Sequence, residues 1–357
     1  MLDRISRIFW LVRKKGFKYT YNRIHFFFFW SWIRKHPLCI SIINFFALYP
    51  SYIEVEVTTR CGLRCVMCEH TYWNEPPRDM NFDQFTKIID QFPNLKWIGL
   101  TGIGESFLNK DFMEMLRYVK NRNVFVEFYD NFFYIKKEMV QQLIDMEIDR
   151  IFISLDAATK KTYEQIRPGS DFNTVLEHIS NLFQIKKEYK KDFPVISFHF
   201  IVTADNIQEI PDYIDLVKKL SEGEADIQFS RLLHEYPEVE RMFIEIPDPI
   251  IANSEKLAAE KGIRINWNLD VPSGKPMMPM CVEWVMPFIF VTGHVIPCCS
   301  GNEANNREYQ KKCSLGNIFE TDFKTIWRGE KYQKLRNDIR TGKCPAYCVN
   351  CCLYQRT

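Results

Sequence analysis

The sequence predicts an α/β protein built on a parallel sheet with helices packed outside it. Three observations carry this. Between Tyr52 and about Asn268, strand-like and helix-like patterns alternate through six βα units. The polar motifs of the chain fall directly after strands, and parallel sheets place their chemistry at the carboxyl ends of strands. The 357 residues are 46% hydrophobic and 26% charged with a net charge of +2, which suits a globular chain of two or three domains. A doubly wound sheet and a barrel both satisfy these features. The same figures exclude a disordered chain, a small disulfide scaffold and a polytopic membrane protein.

Residues 1–50 stand apart, with 14 aromatics. Leu2, Ile5, Phe9 and Val12 recur at helical spacing among Arg4, Arg7, Arg13 and Lys14, which predicts an amphipathic basic helix. Apolar runs at 24–33 and 38–49 follow, separated by Arg34, Lys35, His36 and Pro37. Neither reaches the roughly 18–20 residues that cross a bilayer. Residues 1–36 carry nine Lys/Arg against one Asp, a net +8, so the remainder sums to −6. Two readings fit: a peripheral membrane contact, or a helical extension whose aromatic face covers the next domain.

Alternating or continuous apolar patterns predict strands at 53–57, 97–100, 124–128, 150–155, 195–202 and 227–229. Helical patterns occupy 82–92, 111–122, 136–146, 173–190 and 210–220. A further segment begins near Pro272. There Phe288–Val291 and Val295-Ile296 flank Thr292-Gly293 as a hairpin, and a helix is expected over 322–340 with Trp327 and Leu335 on one face. The expected division is 1–50, 51–268 and 269–357.

Twelve cysteines fall into two groups, with none in the 212 residues between Cys68 and Cys281. No small-residue cleavage site follows the N-terminal apolar runs, so closely spaced thiols read as metal ligands in a reducing, cytoplasmic setting. After the first strand stands Cys61-Gly62-Leu63-Arg64-Cys65-Val66-Met67-Cys68. Three thiolates on one loop suit three corners of an iron–sulfur cubane and leave one iron open. Zinc would want a fourth ligand, for which His70 is close in sequence.

The Cys-x3-Cys-x2-Cys spacing at the end of a first strand resembles the radical S-adenosylmethionine (SAM) superfamily. That resemblance implies a partial (βα)6 TIM-like barrel, with a SAM-binding [4Fe–4S] cluster on Cys61, Cys65 and Cys68. Thr101-Gly102-Ile103-Gly104-Glu105-Ser106 resembles the family's Gly-Gly-Glu-Pro loop, which meets the SAM amino group; Ser106 stands in place of the Pro. Ser154-Leu155-Asp156 resembles the Ser-x-Asp segment that meets the ribose or methionine end of SAM. Asn131 falls where a Thr-Asn turn is frequent, and Arg167 would suit the methionine carboxylate by its fork geometry. Met67 replaces the usual aromatic beside the adenine. As bland alternatives, the glycines are turn residues, Ser154 or Asp156 a helix cap, and Arg167 a surface charge.

Cys281, Gly293 and Cys298, with a close at Cys348 and Cys351, resemble a SPASM/Twitch extension holding an auxiliary [4Fe–4S] cluster. The shorter, single-cluster Twitch-like form fits the spacing better, and Cys299, Cys313, Cys344 and Cys352 are spare. A structural zinc site is the alternative. The resemblance implies reductive cleavage of SAM by a low-potential donor (flavodoxin- or ferredoxin-like) and hydrogen abstraction from substrate. Oxidation of a small hydroxylated molecule, sugar-like or lipid-linked, leads; epimerisation would need a hydrogen donor such as Cys313. Modification of a ribosomal peptide, or a non-catalytic iron–sulfur or zinc protein, are the alternatives. Nucleic-acid binding is not supported, because the basic stripe is confined to the N-terminus. His199, Glu56, Glu127, Trp267, Trp284 and Trp327 read as core or pocket residues whose facing the periodicity leaves open.

Overall fold

A computed structural model describes residues 2–232, 237–268, 281–299 and 307–348. Seven parallel strands run in sequence order: β1 (Tyr52–Val55), β2 (Trp97–Leu100), β3 (Phe125–Asp130), β4 (Arg150–Ser154), β5 (Val195–Val202), β6 (Asp226–Arg231) and β7 (Arg264–Asn268). The order is open rather than cyclic, so this is a partial barrel with one strand more than the six expected. β7 escaped the sequence reading because three of its five residues, Arg264, Asn266 and Asn268, are polar.

Each strand has an apolar side and a polar side. Phe128 meets Phe112 of the helix Phe112–Lys120 with ring centroids 5.6 Å apart, and Phe200 meets Tyr213 of the helix Ile210–Ser221 at 4.6 Å. Those residues face the helical layer. Their neighbours Glu127, Tyr129 and His199 therefore face inward, since side chains alternate along a strand. Register keeps the inner set together: Tyr129 pairs Phe152, and Ser154 pairs His199. The facing that the periodicity left open is thus fixed by where the helices pack.

Three helices precede the sheet: α1 (Leu2–Lys15), α2 (Phe17–Ser31) and α3 (Pro37–Phe46). Phe26 of α2 stacks on Trp97 (4.9 Å) and Phe125 (6.0 Å) and meets Tyr52 edge-on (5.4 Å). Tyr52, Trp97 and Phe125 open their strands, so α2 closes the N-terminal end of the barrel. Tyr19 donates its hydroxyl hydrogen to the fully buried Asp149, which also takes Lys120 Nζ (2.5 Å) and Val126 N (2.8 Å). One face of the extension is therefore core.

The C-terminal region continues the same sheet. β8 (Phe288–Ile289) lies parallel to β1, followed antiparallel by β9 (His294–Ile296) and β10 (Gly316–Asn317). The hairpin turns at Gly293, whose φ of 83° is left-handed and whose Cβ would meet Asn317 Oδ1 at 2.4 Å. The helix expected over 322–340 is two, Phe323–Arg328 and Glu330–Arg340, because Gly329 takes an extended conformation between them. Trp327 and Leu335 are buried as expected, and Trp284 and Trp327 stack at 5.6 Å. One hydrophobic cluster runs through the helical extension, barrel and C-terminal region. Among the described residues, no helix is long and apolar enough to cross a membrane.

Candidate active site

The loop after β1 is fastened at both ends before it presents any thiol. Thr58 Oγ1 donates to Asp79 Oδ1 (2.7 Å), and Arg60 Nε reaches the same oxygen (3.0 Å). Further on, Arg64 N donates to Pro168 O (3.0 Å) and Val66 N to Ile166 O (2.9 Å), tying the loop to the segment after β4. Cys61, Cys65 and Cys68 carry free thiols. Burial pushes all three thiols up, and the negative charge of Cys65 adds to the shift at Cys61 and Cys68. The three therefore sit within electrostatic reach of one another, and binding iron would displace their protons.

His70 is not a fourth ligand. Its Nε2 faces Thr59 O (3.1 Å) and its Nδ1 faces Arg64 (3.3 Å). Among the described residues, no group of three or more His, Cys, Asp or Glu side chains is gathered closely enough to hold a metal ion, the three loop thiols included. What the loop offers is three thiols without a fourth protein ligand, the donor set of a cubane with one open iron.

Beside the thiols lies a pair of buried carboxyls. Glu105 N donates to Arg60 O (2.7 Å), holding the loop after β2 against the cysteine loop. Gly104 is required for that contact, since a Cβ there would lie 2.2 Å from the Thr58 carbonyl oxygen. Gly102 likewise abuts Glu56, at 2.6 Å from Cγ. The glycines expected to admit a ligand thus admit the neighbouring chain. Glu105 is held well above its usual range, first by burial and then by the charge of Asp130. Asp130 itself is raised to about 6 by burial. Glu105 Oε2 accepts from Asn131 N (3.3 Å) and Asp130 Oδ1 from Phe132 N (2.7 Å). Glu105 Oε1 and Asp130 Oδ2 are buried and meet no N–H or hydroxyl donor; instead the two carboxyls share a hydrogen bond, with the proton kept on Glu105. A buried carboxyl pair sharing one proton becomes an acceptor for a cationic donor when that proton is given up. Asp130 was missed in the sequence, although it directly precedes Asn131. Asn131 is itself buried, and its Oδ1 accepts from Phe133 N (2.9 Å).

Arg167 is neither exposed nor turned to a ligand carboxylate. Its Nε donates to Asp156 Oδ2 (2.8 Å), a second nitrogen reaches the same oxygen, and its Nη1 faces Cys65 Sγ at 3.8 Å. The protein supplies the carboxylate that the sequence reading assigned to SAM. Asp156 is fully buried and also accepts from Ile201 N (2.8 Å). Met67 is buried in a small apolar cluster with Ile166, Leu232, Val239 and Met242. Ser154 ends β4, half-buried on the inner face.

That inner face is aromatic and polar. Tyr129 stacks on Phe152 (4.4 Å) and meets His199 edge-on (5.4 Å). His199 Nε2 is 2.9 Å from Ser230 Oγ, and burial lowers its pKa to about 4, so it is neutral. Burial raises Glu127 to about 7, against the opposing charge of Arg150. Glu56 has another role. It is buried, takes Arg307 Nη2 (2.5 Å) and Val291 N (3.3 Å), and so binds the C-terminal region to β1. A broad cleft of 1540 Å³ lies elsewhere, lined by Trp10, Arg23, Lys187 and Arg264 at the opposite end of the barrel.

In the C-terminal group, Cys298 and Cys348 are buried and Tyr347 OH donates to Cys298 O (3.3 Å). Tyr309 bonds the Cys313 side chain and feels Cys344 and Cys348; burial, then Cys313, raises it to about 12. Cys313 and Cys344, spare in the sequence, therefore gather near Cys348. Cys281 is half-buried, packed against the main core. Cys351 lies outside the described residues.

Comparison with known proteins agrees with this arrangement. The radical SAM superfamily profile matches residues 55–217, and that of the SPASM iron–sulfur cluster-binding domain matches 281–352. The chain is 29% identical over 326 residues to a tungsten-containing aldehyde ferredoxin oxidoreductase cofactor-modifying protein of Pyrococcus furiosus, covering 85% of this chain and 87% of that one. It is 22% identical to the mycofactocin maturase MftC of Mycolicibacterium smegmatis, over 83% and 74% of the two chains. In fold it is similar to SuiB of Streptococcus suis bound to S-adenosylmethionine. The TM-score is 0.65 at 15% identity, covering 85% of this chain and 71% of that one.

Proposed function

The chain belongs to the radical SAM superfamily, with a SPASM iron–sulfur domain, and from that premise we propose that it oxidises a polar substrate held on the inner wall of the barrel. When bound, SAM and the [4Fe–4S] clusters supply reductive cleavage, a 5′-deoxyadenosyl radical for hydrogen abstraction, and an electron acceptor. The chain's own residues hold and orient these groups. Cys61, Cys65 and Cys68 would hold the SAM-binding cluster, and Glu105 with Asp130 would accept the SAM ammonium. Asp156 fixes Arg167, whose N–H faces the Cys65 sulfur, and Met67 with its apolar neighbours suits the adenine. Ser154 and Asn131 border the same space.

The observation that carries this reading is the buried, mutually hydrogen-bonded carboxyl pair Glu105–Asp130 beside a three-thiol loop. Neutral His199, with Tyr129 and Ser230, favours a hydroxylated substrate, because these groups offer hydrogen bonds without a fixed charge. Oxidation is preferred to epimerisation because Cys313, the candidate hydrogen donor, stands with Tyr309, Cys344 and Cys348 rather than on that wall. Cys281, Cys298, Cys348 and Cys351 remain the proposed auxiliary ligands, with Cys313 and Cys344 as neighbours that could serve. A low-potential flavodoxin- or ferredoxin-like protein would deliver the electron.

Peptide modification is the second reading, favoured by likeness to a mycofactocin maturase and to SuiB, which has also been solved with its precursor peptide SuiA. The two separate by isotope transfer. Reduced enzyme with SAM is offered deuterated polyols and deuterated peptides, and deuterium is read in 5′-deoxyadenosine. Transfer from polyols supports the proposal; transfer from peptides alone overturns it.

A further inference from the structure

Helices α2 and α3 are apolar on two sides, and the protein uses only one of them. On α2, Tyr19, Phe26 and Phe29 are buried against the barrel. The opposite stripe, Phe17, Tyr21, Ile24 and Phe28, continues to Trp32 and is exposed, reaching 74% at Phe17 and 50% at Phe28. The spacing of that stripe is helical, so it forms a second face rather than scattered residues. On α3, Ile40 and Ile43 are buried while Leu38, Ile42 and Phe45 are exposed, Phe45 at 71%. A helix apolar all round is normally covered all round. Among the described residues, the exposed large hydrophobic side chains all fall between Ile8 and Tyr49 except Tyr72 and Tyr189.

Charge identifies the partner. From Arg4 through Ile53 the sequence has no acidic residue. Arg13, Lys18 and Lys35 are exposed around the aromatic stripe and make no ion pair among the described residues. We propose that this face docks on an anionic lipid bilayer surface, the aromatic side chains entering the headgroup region and the basic residues meeting lipid phosphates. A second copy of the chain would set the same positive charge against itself. The 15-residue α2 lies on the surface, since at 1.5 Å per residue it is too short to cross roughly 30 Å of hydrocarbon.

The orientation has a chemical consequence. α2 rests on Tyr52, Trp97 and Phe125, the first residues of β1, β2 and β3, whereas the cysteine loop follows the last residue of β1. The bilayer therefore covers the end of the barrel away from the thiols, and the site opens toward water. A lipid-linked substrate would have to leave the membrane to be processed. A soluble one would not.

Flotation of the intact protein with vesicles tests this without reference to SAM chemistry, so failure of either proposal leaves the other standing. Vesicles of phosphatidylcholine alone are compared with vesicles holding about 30% phosphatidylserine, at about 0.1 M and about 1 M salt. Binding at least about tenfold stronger to the anionic vesicles, and weakened by salt, is expected. Phe17→Ser with Phe28→Ser should lower it by about tenfold or more, and Lys18→Glu with Lys35→Glu should do likewise. Unchanged circular dichroism keeps loss of fold separate, and the charge pair serves should the apolar pair misfold. Absence of binding, or equal binding to both vesicles, overturns the proposal. So does a dimer in sedimentation that the serine variants abolish, since the face then belongs to a second copy.

Discussion

Glu105 and Asp130 share one proton in a buried space that no N–H or hydroxyl enters. An ammonium that displaces this proton gains charge-assisted hydrogen bonds worth about 1.5–3 kcal/mol. Glu105→Gln should therefore weaken SAM binding by roughly ten- to a hundredfold in anaerobic calorimetry, with the iron content unchanged; unaltered affinity would remove Glu105 from the site. At Arg167 the readout is electrochemical. Its N–H toward Cys65 Sγ stabilises the more negative, reduced cluster, so Arg167→Lys, which keeps a charge beside Asp156, should move the midpoint potential to more negative values. Glu127 gives a pH test. Folded protein holds its proton up to about pH 7, whereas the unfolded chain releases it near 4.5. Between those values the unfolded state binds fewer protons, so stability falls as pH rises, by on the order of 3 kcal/mol. Denaturation of Glu127→Gln across pH 4.5–7.5 should lack that fall.

The elements explain what the sequence could and could not disclose. Strands β2 and β5 match the ranges read from pattern alone, because each is a near-continuous apolar run between polar segments. β7 and the helix Asp248–Lys261 were not read: the first is half polar, and the second fully buries only Ser254 and Ala258, with Ile250 and Leu257 half covered. Glycines separate by what their missing side chain would strike. Gly104→Ala should cost about 1–3 kcal/mol and perturb iron binding, because the Thr58 backbone cannot retreat. Gly62→Ala should be milder in the same melts, because the clash is with the hydroxyl of Tyr134, at the end of a side chain that can swing. For the N-terminal extension, composition was ambiguous because both readings use aromatic residues. The structure gives one face to the core, so removal of residues 1–50 would bare Tyr52, Trp97 and Phe125. Point substitutions, not truncation, are the informative probe.

At the scale of the molecule, one sheet joins the barrel to the C-terminal region through β8 and β1, and Glu56–Arg307 bonds them again. The cysteine spacing made the first candidate site legible, because three thiols lie within eight residues of one loop. The partners of those thiols were not legible. Asp130 meets Glu105 and Arg167 meets Cys65 only once strands far apart in sequence stand side by side, and no local pattern encodes that. The same holds for Cys313 and Cys344, which approach Cys348 through Tyr309. The central claim is that the Cys61–Cys65–Cys68 loop activates SAM. Anaerobically reconstituted protein, reduced in the presence of SAM, should release 5′-deoxyadenosine, and Cys65→Ala should abolish that release while losing about four irons and keeping the C-terminal cluster. Intact SAM at full iron loading, or undiminished cleavage by Cys65→Ala, would contradict it.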